Sequence, residues 1–254
     1  MNLHTLPAYA PVAAATLILP RSWTGRASRT LAPPLGRRLH PAGDPRLLAN
    51  YGRFLADFMH AAWRGPRGIA ALVPRVYGLE AAGEASRAGR GVLFVSVHLG
   101  QWELGGFRIG ERGFPFLSVA ERRGSEGMQR LRAWARRRFG GETLHVNGYG
   151  ADRDAFRSLS ARLRDGGRAG MLIDARDPRT GAIAFSRAPA LLQRRTGCAI
   201  VPFVCLLDDD GRYTLTLLDP VMPGADAGGC LEETLRQWIA RYPDQHYLFP
   251  TAPH

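Results

Sequence analysis

The 254-residue sequence contains no lysine, so each of its 34 basic side chains is an arginine. Set against 22 acidic residues, this leaves a formal charge of +12. The positive charge is therefore carried by planar, forked donors that match phosphates and carboxylates. Acidic lipid headgroups, acidic carrier proteins, coenzyme phosphates and nucleic acid all fit such a surface, and charge alone does not choose among them. Cysteine is scarce. Cys198, Cys205 and Cys230 form no CxxC pair and neighbour no histidine cluster, which argues against a disulfide framework or a zinc site and for a reducing compartment. Cys198 and Cys205, beside and within the apolar run "AIVPFVCLL", read as small buried hydrophobes. Long apolar runs are missing as well. The stretch "APVAAATLIL" at 10–19 is far short of the ~20 residues a membrane-spanning helix needs. No arginine precedes it, whereas a secretory signal carries its charge first. Arginines and a tryptophan follow it, in "PRSWTGRASRT". Two readings fit: a segment lying along an anionic membrane surface, or a terminal helix packed on the domain. No internal repeat and no G-x-S-x-G elbow occurs.

What is present suits one sizeable core, since 45% of the residues are hydrophobic. A Pro- and Gly-rich connection at 31–46 separates an N-terminal segment, 1–45, from a folded domain, 46–254. In "RLLANYGRFLADFMHAAW", Leu47, Leu48, Tyr51, Leu55, Phe58, Met59 and Ala62 recur at helical spacing. Strands are expected at "GVLFVSV", "FPFLSVAE" and "RAGMLIDA". A further pair lies in "GCAIVPFVCLLDDDGRYTLTLLDP", with a DG turn between its members. Helices are expected at "ELGGFRIGERG" (closed by Gly113), "SEGMQRLRAWARRRFGG", "ADRDAFRSLSARLRDGG" (Phe156, Leu159 and Leu163 inward) and "CLEETLRQWIARYP". The arginines of 130–138 read as a solvated helix face. Alternating strands and helices imply an α/β domain with a mostly parallel central sheet flanked by helices. In such sheets, sites gather beyond the carboxyl ends of the strands.

His98 stands in that place, at the end of "GVLFVSVHLGQWELGG", with Glu103 five residues on. The spacing alone is weak evidence: 7 histidines and 22 acids in 254 positions supply roughly 0.6 such pairs by chance. On a strand, or on a continuous helix, the two side chains would point apart. They meet only if the chain turns between them, and Gly100 permits a turn. Once paired, the carboxylate would fix the ring's tautomer and stabilise the imidazolium formed on proton uptake. No Ser, Cys or Thr lies in the motif, so the nucleophile would be a hydroxyl of the substrate. The competing reading makes His98 structural, Trp102 a core residue and Glu103 solvated.

The segment "VYGLEAAGEASRAGRGVLFVSVHLGQWELGG" resembles the bacterial lipid A biosynthesis (lauroyl/myristoyl) acyltransferase family, which includes phosphatidylinositol mannoside acyltransferases. The resemblance rests on a G-x-E before a short helix, a glycine entering the strand, then H-x-G-x-W-[DE] and L-x-G. "FPFLSVAERR" is similar to the family's V-A-E-R strand, and "LRDGGRAGMLIDARDP" to its L-r-x-G-x-x-V-x-l-l-x-D-x-D stretch. "RRTGCAIVPFV" resembles its T-G-A-x-[IV]-[VL]-P strand, and "LRQWIARYPDQHYLF" its closing "I-r-x-x-P-e-q-W". Roughly residues 45–249 are covered in order. One stretch departs: between the third strand and the T-G-A strand, "GAIAFSRAPALLQRRTG" is about ten residues shorter than the family's F-F-G-x-x-A-x-x-P-x-G-P region.

The resemblance implies a glycerolipid acyltransferase-like fold. It also implies transfer of a fatty acyl chain from an acyl thioester, on acyl carrier protein or coenzyme A, to a hydroxyl of a glycolipid or phospholipid. His98 would be the general base and Glu103 its orienting acid, with Asp174 a charge relay or a strand-end acid capping a loop. Arg122, Glu121 and Arg176 would meet donor or phosphate, although Arg176 and Asp177 can also simply pair with each other. Gly100, Gln101 and Trp102 would form the turn and oxyanion region. No metal or cofactor is implied beyond the thioester co-substrate. An anionic membrane surface is the implied partner, with peripheral placement on the cytoplasmic face of the inner membrane. A catalytically inactive lipid- or carrier-binding homologue is the alternative. The arginines lie mostly on helices and not in an aromatic strand platform, which argues against nucleic acid.

Overall fold

A computed structural model describes residues 44–121, 126–146, 152–177, 179–224 and 226–248. The apolar stretch at 10–19 and most of the 31–46 connection lie outside them. The first helix, α1 (Pro45–Arg64), starts where the chemistry of a helix start is concentrated. Asp44 accepts from the amides of Arg46 (2.6 Å) and Leu47 (3.3 Å), and Pro45 supplies a pre-set φ. It ends at Gly65, whose φ of +66° a side chain would resist. The short α2 (Pro66–Leu72), β1 (Arg75–Tyr77) and α3 (Leu79–Arg87) follow.

Next comes β2 (Val92–Ser96), buried at all five positions. Its side chains alternate between two cores. Val92 and Phe94 face one, and Leu93 and Val95 face the other. Such a strand has to be central with both faces covered, and it is. The remaining elements are α4 (Trp102–Glu111), β3 (Leu117–Glu121), α5 (Glu126–Arg138), β4 (Glu142–Val146), α6 (Arg153–Arg164), β5 (Arg168–Leu172), β6 (Asp174–Arg176), β7 (Ile183–Phe185), α7 (Ala188–Thr196), β8 (Ala199–Leu207), β9 (Tyr213–Leu217) and α8 (Ala227–Arg241).

The main sheet has the order β1-β9-β8-β2-β5-β3-β4, and only the β8–β9 pair is antiparallel. The mostly parallel α/β architecture expected from the sequence is therefore what the chain adopts. Side chains of α1 to α5 pack into the core on one face, and those of α6 to α8 into the core on the other. From β2 the chain passes over the place later filled by β5 to reach β3, then returns. The end of β2 thus lies at a reversal of strand order, where neighbouring loops part and leave a crevice.

Candidate active site

The residues after β2 leave the sheet by a tight, fully bonded route. Gly100 has a φ of +62°, and a Cβ there would stand 2.2 Å from the carbonyl oxygen of Cys205. Only glycine fits. The Gly100 amide donates to Gln245 (2.8 Å) and the Gln101 amide to Cys205 (2.6 Å). Both N–H groups are spent inside the fold, so within the region expected to form the turn and oxyanion site, Gly100 and Gln101 make the turn. Trp102, the first residue of α4, packs with Tyr51, Phe54, Leu55 and Tyr247 and turns its ring edge-on to His98 at a centroid distance of 5.1 Å. Its expected place in the core is therefore also a place against the histidine.

The acid that meets His98 is Asp174. His98 Nδ1 lies 2.9 Å from Asp174 Oδ1, and the His98 backbone N–H also donates to that carboxylate, at 2.9 and 3.1 Å. A carboxylate oxygen only accepts, so Nδ1 carries a proton, and in the neutral ring the lone pair is on Nε2. Asp174 is buried. Burial pushes its pKa up, but the two histidines in contact with it, His98 and His246, outweigh that and hold it well below the usual carboxylate range.

Glu103 does not pair with His98, contrary to the expectation from the motif. Its two oxygens accept from Arg136 of α5, at 2.6 Å from Nη2 and 3.2 Å from Nε. The reason is local. The chain does bend at Gly100, but α4 begins only two residues later and carries Glu103 in its first turn toward α5, away from the ring's Nδ1. Both partners of this ion pair are largely buried. Arg136 had read as part of a solvated face. That it stands one helical turn from Arg132, on one side of α5, is a signal the sequence did contain.

Around these groups opens a cavity of about 210 Å³, with His98, Trp102, Glu103 and Asp174 in its lining. That exceeds the ~150 Å³ of an apolar cavity able to take up benzene. From the carboxyl end of β2 it extends beside α4 and the sheet toward Pro115, Phe116, Phe139 and Gly141, near the amino ends of β3 and β4. Room is made by small residues: Gly106 and Gly110 on α4, Ser118 and Ala120 on β3, Gly170 on β5. A Cβ at Gly170 would come within 2.4 Å of the Phe116 ring, and one at Gly110 within 2.4 Å of the Phe139 carbonyl. Apolar side chains make up much of the wall, with the Glu103–Arg136 pair set among them.

Arg132, Glu121 and Arg176 also line the cavity. Arg176 does not pair with Asp177. Its Nε donates to Leu248 (2.8 Å) and its Nη1 to Gly181 (2.7 Å), while Asp177 accepts from the amides of Arg179 and Thr180. Arg122 lies outside the described residues. Cys198 and Cys205 are buried and unbridged, and burial pushes both thiols up. His246, which sequence reasoning passed over, stands on the far oxygen of Asp174, with Nε2 2.9 Å from Oδ2. Both imidazoles aim at carboxylate oxygens and not at a common point; no described group of His, Cys, Asp and Glu is placed to hold a metal ion.

Residues 46–250 match the profile of a family described as bacterial lipid A biosynthesis acyltransferase. A phosphatidylinositol mannoside acyltransferase of Mycobacterium tuberculosis is 30% identical over 196 residues, covering 72% of this chain and 61% of the relative. The Mycolicibacterium smegmatis protein of the same name is 30% identical over 132 residues, covering 49% of this chain and 43% of its own. The chain thus spans about 61% of the length of the first of these relatives. With an ordered match over four-fifths of its residues, this chain belongs to the bacterial lipid A biosynthesis acyltransferase family.

Proposed function

We propose that this protein transfers a fatty acyl chain from an acyl thioester to a hydroxyl of a glycolipid or phospholipid. The observation that carries the reading is the pairing of His98 Nδ1 with buried Asp174 beside a cavity walled by Phe107, Phe116, Phe139 and a line of glycines. Family membership and the names of the mycobacterial relatives support the same chemistry.

His98 Nε2 takes the proton of the acceptor hydroxyl as its oxygen attacks the thioester carbonyl. Asp174 stabilises the imidazolium that forms and keeps the proton on Nδ1 in the resting ring. The tetrahedral intermediate collapses by breaking the C–S bond. The proton held at Nε2 goes to the departing thiolate, and the neutral imidazole is restored. With the Gly100 and Gln101 amides committed elsewhere, the oxyanion falls to the first turn of α4, beginning with the Trp102 amide, which has no intrahelical acceptor.

The acyl chain lies along the slot toward Phe139. Arg132 and Arg176 at the lining suit phosphates of a carrier-bound or coenzyme-bound donor. The Glu103–Arg136 pair neutralises a guanidinium within the slot wall and ties α4 to α5. The proposed acceptor chemistry and the excess of arginine support a peripheral position at an anionic membrane surface, on its cytoplasmic side. No described helix is long and apolar enough to cross a bilayer.

The test is turnover of a radiolabelled acyl thioester, offered on acyl carrier protein and on coenzyme A, with phosphatidylinositol mannosides and lipid A precursors as acceptors. His98→Ala should abolish transfer while the protein stays folded by circular dichroism, because the ring is partly exposed and outside the apolar core. Full activity in that variant refutes the mechanism. Binding without turnover by the unaltered protein supports the non-catalytic alternative.

A further inference from the structure

Asp174 has a second imidazole, and the way that imidazole is held is informative. His246 Nε2 lies 2.9 Å from Asp174 Oδ2, and His246 is 9% exposed. Three sets of bonds fasten the backbone around it. The Tyr247 amide donates to His98 (2.7 Å), and the Gly100 amide donates to Gln245 (2.8 Å). Leu99 and His246 form an antiparallel bridge. Gln245 then clips the segment to the end of β8: its Oε1 accepts from the Leu207 amide (2.9 Å) and its Nε2 donates to the Leu207 carbonyl (3.0 Å). Asn50 of α1 donates to Asp244 from the other side. These contacts leave the His246 ring little choice of position.

We propose that His246 is a positioning residue for the His98–Asp174 pair. Its Nε2–H occupies Oδ2 of Asp174 and so stops the carboxylate from rotating, which keeps Oδ1 on His98 Nδ1 in the plane needed to hold the ring's tautomer. An unclamped carboxylate could turn both oxygens toward the His98 amide, which already reaches each of them, and loosen its bond to the ring. The inference rests on the functional reading above for its kinetic consequence only. The clamp itself is a structural claim with its own readout.

His246→Ala and His246→Asn remove or misplace the donor, whereas His246→Gln presents an amide N–H where Nε2 stood. In the acyl-transfer assay, Ala and Asn should lower kcat by about tenfold or more with KM within twofold, and Gln should restore most of it. Independently of any substrate, proton NMR of the free protein should show a low-field resonance from His98 Nδ1–H, assigned by its loss in His98→Gln. That resonance should move or broaden in the Ala and Asn variants and return in Gln. Should Ala fail to fold, Gln against Asn decides. A His246→Asn protein with wild-type kcat and an unmoved resonance overturns the proposal. If His98→Ala stays active, or no thioester is consumed, the functional reading falls, and the resonance alone then decides the clamp.

Discussion

Replacing Asp174 with asparagine changes one oxygen for an amide nitrogen in a site with donors on both sides. The new side chain has a preferred way round. With its oxygen toward His98 it accepts from both the ring Nδ1–H and the backbone N–H of that residue, which now reach Oδ1 at 2.9 Å each. Its NH2 then faces His246, which accommodates it by moving its proton to Nδ1. Geometry survives, and what is lost is charge. At a separation of ~4 Å and an effective dielectric near 20, the attraction between imidazolium and carboxylate is ~4 kcal/mol. Water reaching the partly exposed His98 ring lowers this to about 2–4 kcal/mol, or a roughly 30- to 1,000-fold loss of kcat. KM should change little, because the charge forms only as the proton moves.

Single-turnover measurement of acyl transfer is the assay, with circular dichroism to confirm the fold. A variant with wild-type kcat, tested beside an inactive His98→Ala protein, refutes the role given to Asp174. Stability offers a second check. The native carboxyl titrates below its unfolded value, so its contribution is present above about pH 4 and is lost as pH falls through the lowered native value. The gap in unfolding free energy between wild type and Asp174→Asn should hold from neutral pH to about pH 4, shrink progressively below it, and be closed once pH has passed the lowered native value.

Two further outcomes follow from the same geometry. Glu103→Leu leaves the Arg136 guanidinium largely buried without its partner and should cost about 3–5 kcal/mol in urea unfolding, whereas the double replacement Glu103→Leu/Arg136→Met should recover most of that. A single variant as stable as wild type would show the pair to be dispensable. Gly170→Ala drives the Phe116 ring out of its present place and into the slot, since the added Cβ would lie 2.4 Å from it. Its kcat/KM should fall more for long acyl thioesters than for short ones, and equal losses at all lengths would argue against the slot as the acyl site.

The fold was largely legible because its strongest signals are local. The continuous apolar run of β2, the helical spacing from Leu47 to Ala62 and the DG turn before β9 each report a preference that packing went on to satisfy. Elements with weaker patterns escaped notice. The edge strand β4, "ETLHV", alternates over only five residues. The β6–β7 hairpin has three residues a side, too few to display a period. His98 was legible too, as an ionisable ring where an apolar strand ends.

Which acid serves that ring was not legible. Glu103 is five residues away along the chain, and Asp174 is 76. The sequence by itself determined that a strand would deliver His98 to the carboxyl edge of a parallel sheet, because a short unbroken apolar run bounded by glycine is a local signal of a strand buried on both faces. Only the tertiary structure decided its partners. The reversal in strand order sets β5 beside β2 and so brings Asp174 to Nδ1. The clip of Gln245 to β8 brings His246 to the same carboxylate, while α5 takes Glu103 for its own arginine. Hydrogen bonds reach only ~3 Å, and no regularity along the chain records which distant segments will come within it.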